Sequence, residues 1–487
     1  MIAAISPSWA ASRSRARADL ARSELVFDKM RGFHATSRGR RMGDWLQLGT
    51  DKPTEPIAEL TELRRRAREM RRNNPYFAAA INTIVGVTVG HGIRGSVTHS
   101  DKRSRAAVQR SWDSWARSKL CDAAGKCDLY AIQSLVMQTV ALCGECLVRR
   151  VFDGTGSSRR LRLQVLPPEY LASKMDREPA GIGENPIVGG VETNGYGEAV
   201  AYHLYRRHPS TGSQDVARVP ASEVIHAFRV EYPGQVRGIA WVAPVFTRLA
   251  ALDDFQDAEL TRQKIAACFG LFYVGQEPEG DYEIPEKIEP GMAEYLPPGT
   301  DVKTITPPSN QSLDVMARIT LQAIASGLGI SYESLTHDYS KVTFSSARMS
   351  HLAMGRNVKT WQQDIMIELF LDRVWAWFSE FQDLQGVRGA NKAGVEWSLP
   401  APVLVDPDKE TKAIVARIRS GLVSWSDAVR EQGKDPAQVL QSIKDDNSLW
   451  DDNLISLDCD PRRVSLQGQG AVNQKQEDEG GDAEQAA

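Results

Sequence analysis

Four cysteines lie close together in the sequence, and thiolates are the ligands of structural zinc and the agents of redox chemistry. The four are Cys121, Cys127, Cys143 and Cys146, and as a group they resemble a four-cysteine zinc set. The segment Cys143-Gly-Glu-Cys146 also has the spacing of redox pairs. However, the gap of five residues between the first two cysteines exceeds that of a zinc knuckle, and the second pair straddles the predicted end of a helix. We therefore interpret all four as incidental thiols and predict no metal site.

Three glycines match a dinucleotide-binding pattern. Gly90, Gly92 and Gly95 have the GxGxxG spacing, but that fingerprint follows a strand and opens a helix. Here a helical pattern precedes the glycines and a strand-like segment follows them, which predicts a glycine-rich turn. The sequence also contains no GxxxxGKS or GxxxxGKT segment for binding a nucleoside triphosphate.

Hydrolytic chemistry would need a nucleophile, a base and an acid. His337, Asp338 and Ser345 supply these residue types in one polar stretch, but no nucleophile elbow accompanies them. His226 alternates with apolar neighbours in a predicted strand, which indicates a hydrogen-bonded structural histidine. We predict no catalytic residue, no cofactor and no enzymatic activity.

Length and composition indicate a soluble globular protein with several domains. The chain has 487 residues, of which 42% are hydrophobic and 25% are charged. No apolar run approaches the roughly eighteen residues of a membrane span, so we predict no membrane partner. Six cysteines without a secretion signal indicate reduced thiols in a cytosol, and a net charge of -3 excludes a uniformly basic nucleic-acid binder.

The two ends of the chain have opposite charge. Residues 1–55 include an arginine-rich stretch from Arg13 to Arg41, which predicts a flexible basic arm that docks on an acidic partner or on nucleic acid. A solvated helix face is the alternative for the arginines between Arg64 and Arg72. Residues 461–487 end in an acidic, polar segment without aromatic side chains, which predicts a disordered tail.

The segment from Pro233 to Cys268 organises the rest of the chain. It opens with a turn, because glycine tolerates backbone angles that other residues avoid, and the turn residues are Gly234, Gln235, Arg237 and Gly238. A long helix is predicted from Trp241 onward, and its apolar stripe consists of Val242, Val245, Phe246, Leu249 and Leu252. Four acidic residues follow: Asp253, Asp254, Asp257 and Glu259. They form either an ordinary solvated face or a part of the helix that leaves the core and crosses a polar space.

Helical and strand-like patterns alternate before this segment, and together they predict an α+β fold. Two helices between Glu59 and Gly90 are separated at Asn74, which caps the second of them. A helix meets a strand at Gly144. Asn194-Gly195 marks a hairpin, and residues 218–230 form one further strand.

The chain after this segment is predicted to be mainly helical. Short strands occur in a Pro/Gly-rich excursion, and a helix then runs from Leu313 to Leu328. A loop over residues 330–356 leads into a long helix with an apolar face formed by Trp361, Ile365, Leu369, Phe370 and Val374. Three shorter helices follow Pro407, and Ser424 and Asp435 are predicted N-caps.

Several sequence phrases, spread in order over residues 20–445, are specific in combination. The most specific are the turn from Gln235 to Gly238 and the segment from Leu335 to Arg348. Further phrases are RRAREMRRNNPYFAAAINTIVGVTVGHGI, GECLVRRV, VLPPEYL, GGVETNGYGEAVAYH, VPASEVIHAF, YLPPGTDV and VDPDKETKAIVARIRSGLVS. Through them the sequence resembles the portal proteins of tailed bacteriophages, in the lambda-type family.

This resemblance implies an α+β portal fold with an α/β wing, a helical stem, a small β-containing clip and a helical C-terminal crown. The implied domains are a flexible basic arm (1–55), the wing (56–232), a stem helix (233–268), the clip (269–308), a channel-proximal helix, loop and long helix returning to the wing (309–400), a crown-like region (401–460) and the disordered tail (461–487). The sequence departs from the family pattern in one respect, because no uninterrupted second stem helix is found between Gly270 and Ser309.

The resemblance also implies a function. Portal proteins form a dodecameric ring at one capsid vertex, nucleate capsid assembly, and pass double-stranded DNA without sequence specificity during packaging and ejection. The implied partners are other copies of the chain, the terminase large subunit, the major capsid and scaffolding proteins, and head-completion or adaptor proteins. The implied location is the virion, with assembly in the host cytoplasm. A minor capsid or adaptor head protein is the alternative, and a packaging enzyme is a further one.

Six charged residues are expected from this resemblance to face the channel and its DNA: Asp253, Asp254, Asp257, Glu259, Lys341 and Arg348. A negative lining repels DNA phosphates and keeps the DNA from binding tightly. Pairing of the acidic residues with arginine or lysine of a neighbouring subunit is an equal alternative.

Overall fold

The computed structural model describes residues 57–154, 159–179, 184–212, 215–267, 271–274, 301–304, 313–401 and 406–455. These residues belong to one compact unit, Pro56–Ala487. Their mixture of helices and strands confirms the predicted α+β class. The predicted basic arm and acidic tail lie outside the described residues, as does most of the predicted clip.

Two helices open this unit. Helices α1 (Ile57–Asn73) and α2 (Pro75–Thr88) are separated by Asn74, whose side chain accepts a hydrogen bond from the amide of Phe77. This cap confirms the prediction, and Pro75 fits the first helical position because that position needs no amide donor. The predicted glycine-rich turn follows and leads into strand β1 (Arg94–Thr98).

A three-stranded sheet lies beyond two further helices. Helices α3 (Lys102–Ala116) and α4 (Leu129–Cys143) precede strand β2 (Glu145–Asp153), and Gly144 at the junction has a φ of +90°. Strand β2 is the central strand, antiparallel to β3 (Arg160–Leu166) and to β8 (Val224–Phe228). The predicted helix-to-strand junction is confirmed.

A second, four-stranded sheet contains β4 (Ile187–Val188), β5 (Val191–Thr193), β6 (Ala199–Tyr205) and β7 (Val216–Pro220), in that order. The predicted hairpin at Asn194 joins β5 and β6. The prediction of one strand over residues 218–230 was wrong, because β7 pairs with β6 whereas β8 pairs with β2 of the other sheet. Pro220 ends β7, since proline has no amide to continue a strand ladder.

The long helix α5 (Phe246–Ala267) starts five residues later than predicted. Residues 241–245 form turns, in which the amide of Val245 donates to the carbonyl of Val242, and Pro244 has no amide for a helical bond. The predicted apolar stripe is packed in the core, because Val242, Val245, Leu249 and Leu252 are buried.

Two short strands and a second helix follow α5. Strands β9 (Leu271–Val274) and β10 (Asp301–Thr304) pair antiparallel, and helix α6 (Leu313–Leu328) contacts α5. An added Cβ on Gly327 of α6 would lie 2.3 Å from Cγ1 of Val245, so glycine permits this close approach. The helix predicted over residues 313–328 is confirmed.

The loop predicted over residues 330–356 was wrong, since only part of it is irregular. Helix α7 (Tyr332–Thr336) is followed by α8 (Phe344–Thr360), whose capping Thr343 accepts a hydrogen bond from the amide of Ser346. The run continues through a π-helical segment (Trp361–Leu371) into α9 (Asp372–Leu384). Its predicted apolar face is buried except at Leu369, and Trp375 and Phe378 pack on Trp112 of α3.

Four elements complete the described chain. Strand β11 (Gly394–Ser398) pairs antiparallel with β1, and helices α10 (Pro407–Arg419), α11 (Trp425–Glu431) and α12 (Pro436–Asp452) follow. Ser424 and Asp435 cap α11 and α12 as predicted, although α12 is longer than expected. Within the described residues, no helix combines the length and the apolar character that crossing a membrane requires.

Candidate functional site

The first residue of β2, Glu145, is the centre of a buried ion cluster. Its side chain is fully buried and accepts hydrogen bonds from Arg64 Nη2 of α1 (2.8 Å), Arg237 Nε (2.9 Å), His226 Nε2 of β8 (2.9 Å) and the amide of Gly238 (2.7 Å). Arg64 and Arg237 are 2% and 4% exposed, so two guanidinium groups share one carboxylate away from water. We name Glu145, Arg64, Arg237 and His226 the Glu145 cluster.

The remaining donors of the two arginines bind backbone carbonyls and a hydroxyl. Arg64 Nε donates to the carbonyl of Cys143 at 3.0 Å. Arg237 Nη1 donates to the carbonyl of Gly189 at 2.6 Å and to Ser173 Oγ at 3.0 Å. The Glu145 cluster therefore joins α1, the three-stranded sheet, the four-stranded sheet and the turn that precedes α5.

Electrostatics keep this cluster charged. Burial opposes ionisation of Glu145, but the positive charges of Arg237 and Arg64 outweigh it and hold the pKa of the carboxyl well below its usual value of 4.5. Burial lowers the pKa of Arg64, while the charge of Glu145 counteracts that effect. Because an unpaired charge at this depth would be costly, the partners depend on each other for their charged state.

The backbone at the cluster is packed too tightly for side chains. An added Cβ on Gly238 would lie 2.3 Å from the carbonyl oxygen of Gly144, and one on Gly144 would lie 2.4 Å from the carbonyl carbon of Ile239. The predicted turn is confirmed around them, since Gly234 has a φ of +79° and Gln235 Nε2 donates to the carbonyl of Arg237 at 2.9 Å. Because Gly144 and Gly238 have no side chains, the start of β2 and the turn can come into direct backbone contact.

Arg237 and Gly238 were predicted from the sequence to lie in the turn, whereas Glu145 and Arg64 were not predicted as site residues. A signal was present in the phrase Gly144-Glu145-Cys146, where a carboxylate opens a strand of apolar residues. Fully buried charges are rarely found without a partner, so this glutamate required a cation from elsewhere in the fold. The sequence contains no indication of which arginine supplies it.

The four acidic residues of α5 have different surroundings. The carboxylate of Asp253 accepts hydrogen bonds from Asn74 Nδ2 at 2.7 and 2.9 Å, and it is half-buried. Asp254 and Asp257 are exposed.

Glu259 differs from these three because it is only 8% exposed. Hydrogen bonds from Arg262 and Gln263 of the same helix lower the pKa of Glu259 to about 2. Its charge is therefore compensated within its own chain.

The two basic residues of the predicted channel set lie near the start of α8. Lys341 is exposed, and its Nζ lies 3.5 Å from Oδ2 of Asp314 in α6. Arg348 is exposed on α8 and belongs to a helix, whereas the sequence predicted a loop. The structure thus brings Lys341 next to the helix that packs on α5.

The residues considered for chemistry are engaged in local contacts. Asp338 accepts from the hydroxyl of Ser340 at 2.6 Å and from that of Tyr332 at 3.2 Å. Burial raises the pKa of Cys121 to about 12 and also raises that of Cys146, which disfavours the reactive thiolate. In the part of the chain that the structure describes, no three His, Cys, Asp or Glu side chains are grouped for a metal ion.

Comparisons with known proteins give consistent matches. The sequence matches the family described as phage portal protein, lambda family, over residues 38–362. A protein named probable portal protein from Halomonas phage phiHAP-1 is 27% identical over 420 residues, which cover 79% of each chain. Portal protein B of Escherichia phage lambda is 23% identical, with 84% of this chain and 88% of the relative covered. A chain from the structure titled neck of native GTA particle computed with C12 symmetry has a TM-score of 0.48 and 13% identity, with 78% and 94% covered.

Proposed function

The chain belongs to the lambda family of phage portal proteins, and from this premise we propose that its copies form a closed ring for the passage of double-stranded DNA. The observation that carries this conclusion is the family match over residues 38–362. In this proposal the ring occupies one vertex of the virion capsid, assembles in the host cytoplasm, and nucleates capsid assembly. Its action is geometric and electrostatic, and no covalent bond is made or broken.

The order of elements supports a division into portal domains. Residues 56–232 are the wing, and residues 233–268 are the first stem helix. The paired strands β9 and β10 lie between α5 and α6 in sequence, which supports a clip over residues 269–308. Helix α6 then serves as the second stem helix, since it contacts α5. Residues 309–400 contain this channel-proximal helix, a loop and the long helix that returns to the wing, and residues 401–460 form the crown-like region.

Exposed apolar side chains support assembly into a ring. Val315, Met316 and Ile319 of α6 are each more than half exposed, and so are Met349 and Leu352 of α8. Apolar patches on helices of a soluble protein commonly mark contacts with other subunits. Head-to-tail contacts between identical subunits close into a ring when the rotation permits it.

The exposed carboxylates of α5 support a DNA path with low affinity. Asp254 and Asp257 are exposed in the described part of the chain, and in the proposed ring they face the channel and repel DNA phosphates. Lys341 and Arg348 are proposed to lie near the same channel. Asp253 and Glu259 are hydrogen-bonded within their own chain. In this proposal they add to the negative electrostatic potential near the channel and do not contact DNA directly.

The proposed partners dock on the symmetric ring. They are the terminase large subunit during packaging, head-completion or adaptor proteins afterwards, and the major capsid and scaffolding proteins around the ring. The Glu145 cluster holds the turn before α5 in one geometry. We infer that this contact gives every copy the same stem orientation, which a closed ring requires.

Native mass spectrometry with single-particle class averages tests the proposal. A closed ring of about a dozen copies with a central hole is the expected result. A monomer or dimer that persists in the presence of the scaffolding protein would refute it. Hydrolysis of ATP by the purified chain, tested in the same sample, would contradict the absence of enzymatic activity.

A further inference from the structure

The three C-terminal helices have almost no buried core of their own. Across α10, α11 and α12, the structure buries only Ala428 and Pro436. Large apolar side chains remain exposed on α10 (Val415), on α12 (Leu440, Ile443 and Leu449) and in the connection between α10 and α11 (Leu422). Helices of this length gain most of their stability by packing an apolar face, so these exposed side chains are available for a contact outside the three helices.

The two outer helices of this group carry opposite charge. Helix α10 contains four basic residues against two acidic ones, and its exposed cations include Lys412 and Arg419. Helix α12 contains four acidic residues against one lysine, and its exposed carboxylates include Asp446 and Asp452. Each helix therefore presents at least one exposed apolar side chain beside charges that complement those of the other.

We propose that α12 of one copy packs on α10 of the next copy and forms an interface between neighbouring subunits. In a single chain α10 and α12 each contact α11, yet the apolar and charged side chains named above stay exposed. Each copy offers one basic and one acidic helix, so the contact is head-to-tail and repeats around a ring. The inference rests on the proposed ring and assigns one of its contacts.

Charge reversal on each side tests this interface. The basic-face variant carries Lys412→Glu and Arg419→Glu, and the acidic-face variant carries Asp446→Lys and Asp452→Lys. Each variant alone places like charges in the contact, so at one fixed low salt concentration we expect the protein concentration at which half of the rings are dissociated to rise at least about twofold. Native mass spectrometry of the full chain measures this midpoint, and Arg177→Glu, an exposed reversal elsewhere, should leave it unchanged.

Mixed copies distinguish contacts between chains from contacts within one chain. When the two variants are co-expressed, an alternating ring pairs every reversed helix with a complementary neighbour, so the midpoint should return to the wild-type value. A chain that carries all four substitutions should be restored as well. Restoration in the four-fold chain without restoration in the mixture would place the contact within one chain and overturn the interface.

The outcomes also separate this interface from the proposed function. If wild-type rings form and neither variant changes the midpoint, the proposed interface is overturned. The proposed portal function is then unaffected. A third outcome is that only the basic-face variant changes the midpoint and that neither the mixture nor the four-fold chain restores it. This result would indicate that the acidic residues 461–487 cover α10, and it would also overturn the interface. Absence of any wild-type ring would refute the proposed function and this contact together.

Discussion

Replacement of Glu145 by glutamine is the sharpest test of the buried ion cluster. The side chain keeps its size but loses its charge, which leaves Arg64 and Arg237 buried without a carboxylate. The oxygen Oε2 accepts from the amide of Gly238 and from His226, so an amide nitrogen at that position would oppose two donors. If the amide of the glutamine were flipped, its nitrogen would instead face the N–H donors of Arg64 and Arg237.

The cost follows from the burial of all three charged groups. Removing one partner of a buried pair costs about 3–5 kcal/mol, because the remaining charge is left uncompensated. Native proteins have about 5–15 kcal/mol of unfolding free energy, so Glu145→Gln removes a large part of the total. We therefore expect a stability loss of about 3–5 kcal/mol with the fold retained at low urea.

Urea unfolding at a fixed protein concentration measures this loss, because assembly makes apparent stability concentration-dependent. Tryptophan fluorescence is a suitable signal, since Trp241 is buried beside the turn. The matched control is Glu231→Gln, which removes the carboxylate of a partly exposed pair with Arg229 and should change stability by no more than about 0.5 kcal/mol. A loss below about 1 kcal/mol for Glu145→Gln would refute the reasoning, because that is the range of surface pairs.

Acid titration gives a second reading of the same variant. The folded-state pKa of Glu145 lies below its usual value of 4.5, so its stabilisation is complete above that pH and is lost as the pH falls through the folded-state pKa. Glu145→Gln has no carboxyl to protonate at this position. The stability difference between wild type and variant should therefore shrink as the pH falls below about 4.5. A difference that grows in this acidic range would contradict the depressed pKa.

Two further predictions concern the turn and the channel. Gly238→Ala would place Cβ 2.3 Å from the carbonyl oxygen of Gly144, so we expect a stability loss of about 1–3 kcal/mol or more by urea unfolding. Gly195→Ala, whose Cβ meets open space, is the control, and equal midpoints for both variants would contradict the close approach. Reversal of Asp254 and Asp257 to lysine should tighten duplex DNA binding by the ring and steepen its salt dependence by about 0.9 per added phosphate contact. Fluorescence anisotropy at several salt concentrations measures this, and an unchanged affinity would argue against a channel-facing position.

Local signals in the sequence predicted the elements that depend on a few neighbouring residues. The cap at Asn74, the helix-to-strand junction at Gly144 and the hairpin at Asn194 are confirmed, because capping and turn geometry are settled within a few residues. Two helix starts were misplaced although their causes are local. Helix α5 starts after Pro244, which has no amide for a helical bond, and α8 starts at the Thr343 cap within the predicted loop.

Pairings between distant segments were decided by the tertiary structure alone. Strands β7 and β8 are nearly contiguous in sequence, yet they join different sheets because each pairs with whichever strand edge the fold brings to it. Arg237 and Glu145 are 92 residues apart, and their ion pair exists only because a close glycine contact brings the turn onto β2.

Residue types and their order were therefore enough to indicate the α+β class, the family resemblance and the acidic character of α5. Only the tertiary structure shows that Asp253 accepts hydrogen bonds from Asn74 of a distant helix junction, whereas Asp254 and Asp257 of the same helix are exposed. Helical spacing assigns a residue to a face of its own helix, but burial depends on which other segments pack against that face.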